Sequence, residues 1–589
     1  MLGTAGTEPS FRSWQLTLGQ VGVPFDAIAV GAQGWRVSLS SVSGHPRFQA
    51  VILATGALFD EVLTKTEQEE LEALERDFGI RRLTAYAVPG PARGLQAPTW
   101  AGPLDRVSAG LTPSGRRVFP YLRGPLPIDP GSWGYLAAPV SGECFDTLVV
   151  AADGSGLVGI HRPPDGREEM VQTFDANAAQ MQAHLLRRGQ LAWVTRGRYL
   201  GHQRHYLSLQ IDDVLLPNHR WDPVSHAIDA DASAMIRITP DDVTHAARWS
   251  RSRGLRLDLV CNGAGSQRYA REAGVDADPL LCALLARRNE FGWINHTYEH
   301  RNLDHASCAT IEAEISRNRS WASRVGIDLE PGALITGEHS GLANLAAVPP
   351  RGENPQLAVA LAAQGIRYLG CDASRPHPSR GPDLLSPRLP AGVPFAVGPA
   401  LAVPRYPTML AYGAATPAQA LDHVRHLGLT DATSWEELLD LEANRIFATV
   451  MSNDPAPHYF HQSNLAAGGP LDAPDVGGPV FYVLLDAVLA LYQRYLTADV
   501  PLVQPTLGET GELLSRRNTW RAALETESIV GYIEESRVTI VNRGETALDA
   551  PVSGANTGSA YGGARSGWVR VPPGETVLDQ SGPECASTG

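Results

Sequence analysis

The sequence predicts a multidomain α/β protein whose largest part is a parallel β/α barrel, and three observations lead there. The chain has 589 residues, more than a single core organises when a domain takes roughly 150. From about Arg198 to Tyr495, short apolar runs alternate with helical patterns, which is the spacing of repeated βα units. Ahead of that stretch the texture changes partway, from a strand, helix, strand pattern to short alternating runs broken by Gly and Pro.

Residues 1–95 read as a small α/β domain of flavodoxin or amidotransferase type. The run Gln49-Ala50-Val51-Ile52-Leu53-Ala54 suits a strand buried on both faces of a parallel sheet. Thr64 to Phe78 is patterned as a helix, and Gly79-Ile80-Arg81-Arg82-Leu83 restarts a strand. The segment holds no phosphate-cradling glycine loop and no Cys nucleophile, so a structural role is expected of it. Met1-Leu2-Gly3-Thr4 has neither a basic nor an apolar leader region, so no signal peptide is read there. The first patterned segment, Phe11 to Gln20, is helical, and the domain's opening strand is expected to lie ahead of the given sequence.

Residues 96–197 read as a β-sandwich, with Phe145 to Val150 and Gly156 to Ile160 as clear strands. Its aromatics Trp100, Tyr121, Trp133 and Tyr135 suit either sugar stacking or core packing. Residues 198–500 form the barrel. Its strands are expected at Tyr206 to Ile211, Leu255 to Cys261, Phe291 to Ile294, Ala333 to Thr336, Arg367 to Gly370 and Ile446 to Met451. Thr239 with Pro240, Asp241 and Asp242 marks a helix start. Residues 501–589 read as a β-rich tail, with Ser536 to Val541 its clearest strand.

Charge narrows the function. The net charge is −14, and Lys65 is the one lysine among 49 basic residues. Such a balance argues against nucleic acid or an anionic membrane as the main partner. The six cysteines (Cys144, Cys261, Cys282, Cys308, Cys371 and Cys585) include no CxxC pair, which removes zinc ribbons and dithiol redox motifs. The run Val480 to Leu491 is interrupted by Asp486 and is too short to span a membrane.

Three polar clusters sit at or near the ends of the expected barrel strands. In Gln210-Ile211-Asp212-Asp213-Val214, two adjacent carboxylates repel unless a cation lies between them or one is protonated. In His296-Thr297-Tyr298-Glu299-His300, two imidazoles four residues apart can face one borderline metal. The third cluster, Ser452 to Asn464, holds His458 and His461, either of which suits general acid catalysis.

Together these clusters resemble the NodB-like polysaccharide deacetylases, whose first motif ends in DD and whose second is H-[ST]-x-x-H. The closest resemblance is to the fungal galactosaminogalactan deacetylase and its bacterial relatives, carbohydrate esterase family 18. It is carried by the Asp-pair motif together with Trp193 to Gly197, Gly337-Glu338-His339-Ser340-Gly341, Pro404-Arg405-Tyr406-Pro407-Thr408 and Phe460-His461-Gln462-Ser463-Asn464. The resemblance implies a distorted barrel of NodB type, an amidotransferase-like domain and a β-sandwich carbohydrate-binding module. It implies removal of acetyl groups from an N-acetylgalactosamine-containing polymer, outside the cell or at its surface. One divalent metal, zinc being the expected ion, would be held by Asp213, His296 and His300. Asp212 would be the general base and His461 the acid. Arg405 would hold Asp212, while His339 and His458 would contact substrate. The R-x-P motif followed by an aromatic is met only as Arg405-Tyr406-Pro407-Thr408, far downstream of the histidines. Gly337 to Gly341 occupies the customary position.

Two other readings use the same residues. His296 to His300 also spells H-x-x-E-H, a zinc-peptidase pattern in which Glu299 would be the base, but this requires a continuous helix through both histidines. A catalytically silent carbohydrate-binding protein would be expected to have lost a metal ligand, and all three candidates are present.

Overall fold

The computed structural model describes residues 1–33, 45–105, 107–229, 235–344, 349–375, 395–467, 478–534 and 537–579; Cys585 lies outside them. The N-terminal sheet is built from β1 (Leu2–Gly3), β2 (Ile28–Ala29), β3 (Ala50–Leu53), β4 (Arg81–Thr84), β5 (Ala109–Leu111), β6 (Phe145–Ala151), β7 (Gly156–His161) and β8 (Glu169–Gln172). β1 lies between β2 and β3, in parallel with both. Leu2–Gly3 thus supplies a short strand ahead of the first helix. The helix Lys65–Phe78 begins on a Thr64 cap that closes a capping box with Glu67.

The strands expected as a separate sandwich do not form their own sheet. β8 pairs in parallel with β4, and β7, β6 and β5 follow antiparallel, giving one eight-stranded sheet. Residue 95 therefore falls inside a continuous sheet. The junction is held by Arg82, whose buried guanidinium lies 3.5 Å from Glu169 and 3.4 Å from Glu75. This long-range pairing leaves no trace in local periodicity. Of the four aromatics, Tyr121 is core, donating through its hydroxyl to the Leu185 carbonyl at 2.8 Å. Trp100 and Trp133 stand half exposed on a two-stranded ribbon, Trp100–Pro103 with Trp133–Leu136.

The barrel strands are β9 (Leu209–Asp212), β10 (Leu257–Cys261), β11 (Gly292–Asn295), β12 (Ala333–Ile335), β13 (Tyr368–Asp372), β14 (Ala400–Pro407) and β15 (His458–His461). Each pairs in parallel with the next, and β15 returns to β9, which closes the barrel. All their carboxyl ends face one rim, where such folds carry their chemistry.

The expected set of barrel strands needs correction at three places. Ile446 to Met451 is the last part of the helix Trp435–Met451, which starts on Ser434 with Glu436 and Glu437 in its first turn. A short buried apolar run looks alike as strand or helix. The spacing of buried Leu438, Glu442, Ile446, Phe447 and Val450 shows the helical face. β14 and β15 lie outside the expected set; Pro404 and Pro407 weigh against a central strand, yet the β14 ladder runs through Pro404, which lies opposite Cys371.

The tail expected to be β-rich opens instead with the helix Leu507–Glu525. Its Leu507 and Leu514 pack with Val260, Ile294, Ala333, Ile335 and Val403 of the barrel. The strands come later, and Leu548–Ser553 pairs with Tyr199–Leu200 just ahead of the barrel. Gly511 lies so close to Tyr368 that a methyl group there would run into the ring. On an independent helix, Gly→Ala stabilises by about 1 kcal/mol; against Tyr368, overpacking costs about 1–3 kcal/mol. Gly511→Ala is therefore expected to lower the unfolding midpoint in calorimetry, and a raised midpoint would show that this helix does not bear on the barrel.

Candidate active site

The rim gathers polar side chains from several strand ends. Asp213 follows β9 and His296 follows β11, with His300 four residues further on. Asp213, Thr297, His300, Glu338 and His339 all have positive φ, between 51° and 64°. Non-glycine residues in this region cost about 1–2 kcal/mol each, and such strain persists where the surroundings over-determine it. Here Asn262 donates to the carbonyls of His296 and Thr297. The Asn295 carboxamide oxygen accepts from the Thr297 amide at 3.0 Å, and Glu314 accepts the amides of Tyr298 and Glu299 at 3.0 and 2.7 Å.

Asp213 Oδ1 lies 3.4 Å from His296 Nε2 and 3.3 Å from His300 Nε2. The His296 Nδ1–H donates to the Ile335 carbonyl at 2.8 Å, which leaves Nε2 of the neutral ring as a lone pair aimed at the carboxylate. Asp213 Oδ1 is buried without a hydrogen-bond partner. Three acceptor atoms converging in a buried site call for a cation, and one carboxylate with two imidazoles suits a borderline divalent ion. Burial disfavours charge on both Asp213 and His296. The contact between them outweighs it, holding the carboxyl well below its usual range and the imidazole above its own, a proton on Nε2 then taking the place that a cation fills beside the neutral ring. Burial and the neighbouring His296 lower His300. The second oxygen of Asp213 accepts from Asn218 Nδ2 at 2.9 Å, and the Asn218 oxygen accepts from Gln462 at 2.7 Å.

Asp212 faces the other way. Its Oδ1 accepts from Arg405 Nη2 at 2.6 Å, while Arg405 Nε donates to Gln210 at 2.6 Å and Nη1 lies 3.0 Å from His339 Nε2. Arg405 is fully buried, 4.5 Å from the Tyr459 ring centre. Burial would keep Asp212 protonated; the Arg405 charge, with His296 and His461, overcomes it and lowers the pKa. His339 is buried, and burial and Arg405 push it well below its usual value. A neutral ring accepting from Arg405 braces the guanidinium.

β15 separates the two late histidines. His461 stands opposite Asp212 at the carboxyl end of β9, whereas His458 stands opposite Leu209 at the other end. Alternation along the strand puts His461 on the face of Tyr459, and His458 on that of Phe460. Phe460 packs on Phe481 of the helix Val480–Tyr495, with ring centres 4.8 Å apart. The structure thus brings Asp212, Asp213, His296, His300, His339, Arg405 and His461 together and leaves His458 in the outer packing layer. There burial and Arg445 lower His458 to about 3.

No helix runs through His296 and His300, and Glu299 turns to Arg301 at 2.7 Å and Arg317 at 3.0 Å. The peptidase arrangement is absent. Sequence reasoning passed over Gln210, Asn218, Tyr459 and Gln462. Gln210, Tyr459 and Gln462 stood within or beside recognised motif segments, yet only the fold reveals what they hold.

Residues 266–477 match the family model of the Agd3 deacetylase domain. This span of the chain is similar to the Agd3 deacetylase domain. It contains His296, His300, Arg405 and His461, and the Asp pair precedes it in sequence while joining them on the rim. Over its whole length the chain is similar to the crystal structure of Agd3, a carbohydrate deacetylase, with a TM-score of 0.81 and 20% identity, covering 99% of this chain and 98% of that one. A family 4 carbohydrate esterase from Streptomyces lividans also matches, at 12% identity over 52% of this chain and 100% of its own, but its TM-score of 0.25 carries no argument. No curated protein sequence matches. The resemblance read from the motifs, the barrel fold and the deacetylase class of hydrolase are borne out.

Elemental analysis is expected to find one divalent metal per chain, lost in His296→Ala and His300→Ala. Asn218→Ala should weaken metal affinity by about 10–100-fold, the usual effect of removing a group that orients a ligand. Full occupancy in all three variants would rule the site out.

Proposed function

We propose that the protein is a metal-dependent N-deacetylase acting on an N-acetylhexosamine polymer and releasing acetate. The observation that carries this reading is the register of β9 and β15, which sets a carboxylate and an imidazole opposite one another beside the Asp213, His296 and His300 triad. A zinc-like ion held there would lower the pKa of a water and polarise the acetyl carbonyl.

Arg405 keeps Asp212 ionised and pointed, so its free oxygen can take the proton of the attacking water. The C–N bond of the resulting tetrahedral species breaks only as the nitrogen gains a proton, and His461 in its protonated form supplies it. The products are acetate and a free amine. His339 and Gln210 act through Arg405. The family resemblance supports N-acetylgalactosamine as the sugar, and a polymeric substrate favours work outside the cell or at its surface. The half-exposed Trp100 and Trp133 support a second sugar contact on the 96–197 segment. The intact ligand set weighs against a catalytically silent protein.

Asp212→Asn should retain the metal while acetate release from N-acetylated oligosaccharide falls by about a hundred- to ten-thousand-fold; a variant keeping most of its turnover would show that another group is the base. His461→Ala provides a separate test through the leaving group, because an amine needs a proton to depart and a phenolate does not. Amide turnover should fall far more than aryl acetate hydrolysis, whereas a packing histidine would lower both equally.

A further inference from the structure

Beside His461 the rim carries a ring with no part in the chemistry so far. Tyr412 is 40% exposed, and its ring centre lies 5.9 Å from that of His461. Its turn is not a loose loop. The Tyr412 carbonyl accepts from Ser463 Oγ, the carbonyls of Ala411 and Ala414 accept from Asn464 at 3.0 and 2.8 Å, and the Gly413 carbonyl accepts from the Trp221 amide at 3.0 Å. The segment that presents His461 therefore also positions Tyr412. Such anchoring spends several hydrogen bonds on an exposed aromatic, whose ring would gain more by packing inward.

Glu338 is the second unused group. It is exposed and held at φ 56°, with one carboxylate oxygen accepting from Asn302 at 2.9 Å. Its neighbour Gly337 lies against the His300 ring, and its other neighbour His339 meets Tyr459, whose ring, like that of Tyr412, lies beside His461, so Glu338 stands on the same rim as both His300 and Tyr412. A flat apolar face beside an ionised acceptor matches a pyranose ring, which offers a face of C–H groups and an edge of hydroxyls.

Resting on the deacetylase reading, we propose that Tyr412 and Glu338 form a sugar-holding subsite at the mouth, Tyr412 stacking on a pyranose and Glu338 accepting from its hydroxyls. This subsite makes a hexosamine oligosaccharide, rather than a small acetyl compound, the preferred substrate.

The test compares wild type, Tyr412→Ala, Tyr412→Phe and Glu338→Gln, loaded with metal, on N-acetylhexosamine oligosaccharides of increasing length and on an aryl acetate. For Tyr412→Ala, kcat/KM on the oligosaccharides should fall roughly tenfold more than on the aryl acetate, mostly through KM, the tenfold corresponding to about 1.4 kcal/mol. Tyr412→Phe should restore it, and Glu338→Gln should show a smaller loss in the same direction. Equal losses on both substrates, or none, would overturn the proposal, since a ring that merely packs His461 affects both reactions alike. If wild type releases no acetate from any oligosaccharide, the deacetylase reading fails on its own. Saturation-transfer NMR with the same oligosaccharides then decides the subsite: binding lost in Tyr412→Ala supports it, and binding retained overturns it.

Discussion

The site depends on one fully buried cation. Arg405 enters from β14 and spreads its guanidinium over Gln210, Asp212 and His339, with Tyr459 against its face. A buried charge without a partner costs several kcal/mol, so Arg405 imposes conditions on every neighbour. Asp212 must stay ionised, His339 must stay neutral, and Gln210 must turn its oxygen inward. Four separate strand ends are tied to one planar group. Its fork geometry gives each partner a fixed direction that a lysine ammonium would not give.

That constraint also explains how adjacent aspartates come to do different work. A positive φ at Asp213 breaks the strand directly after Asp212, so the second carboxylate swings to the histidines while the first remains on Arg405. Repulsion between neighbouring acids is relieved by giving each its own cation or cation site. The strained residues of the turns after β11 and β12 belong to the same solution, because they aim His300 and His339 where regular strand or helix would not.

The barrel was legible in the sequence where βα repeats left local marks. Five strands were found within a few residues, and Asp212, Asp213, His296 and His300 were marked by their spacing and by the motif they share with known deacetylases. The losses have specific physical causes. Ile446 to Met451 is buried whether helical or extended, so composition alone could not separate the two. β14 carries Pro404 and Pro407, residues that weigh against a central strand, and no local pattern marked it, although Arg405 anchors the site. His458 and His461 differ by three residues in sequence yet stand on opposite faces and ends of β15; that distinction is invisible until the partner strand is known. The joining of β8 to β4 is a contact across the chain that no local pattern encodes.

The two groups proposed to move protons are also coupled to each other. Burial lowers the proton affinity of His461 while Asp213 and Asp212 raise it in part, and His461 in turn lowers that of Asp212, so each charge supports the other against burial. Burial opposes both charges separately and would favour a neutral acid and a neutral ring. Arg405 overcomes burial on the carboxylate side, whereas on His461 burial, with Arg405 and His296, prevails over the pull of the two acids and leaves the ring below the usual imidazole value. Neither residue therefore has a separable share of catalysis. Loss of one removes the field in which the other functions, and their contributions do not add.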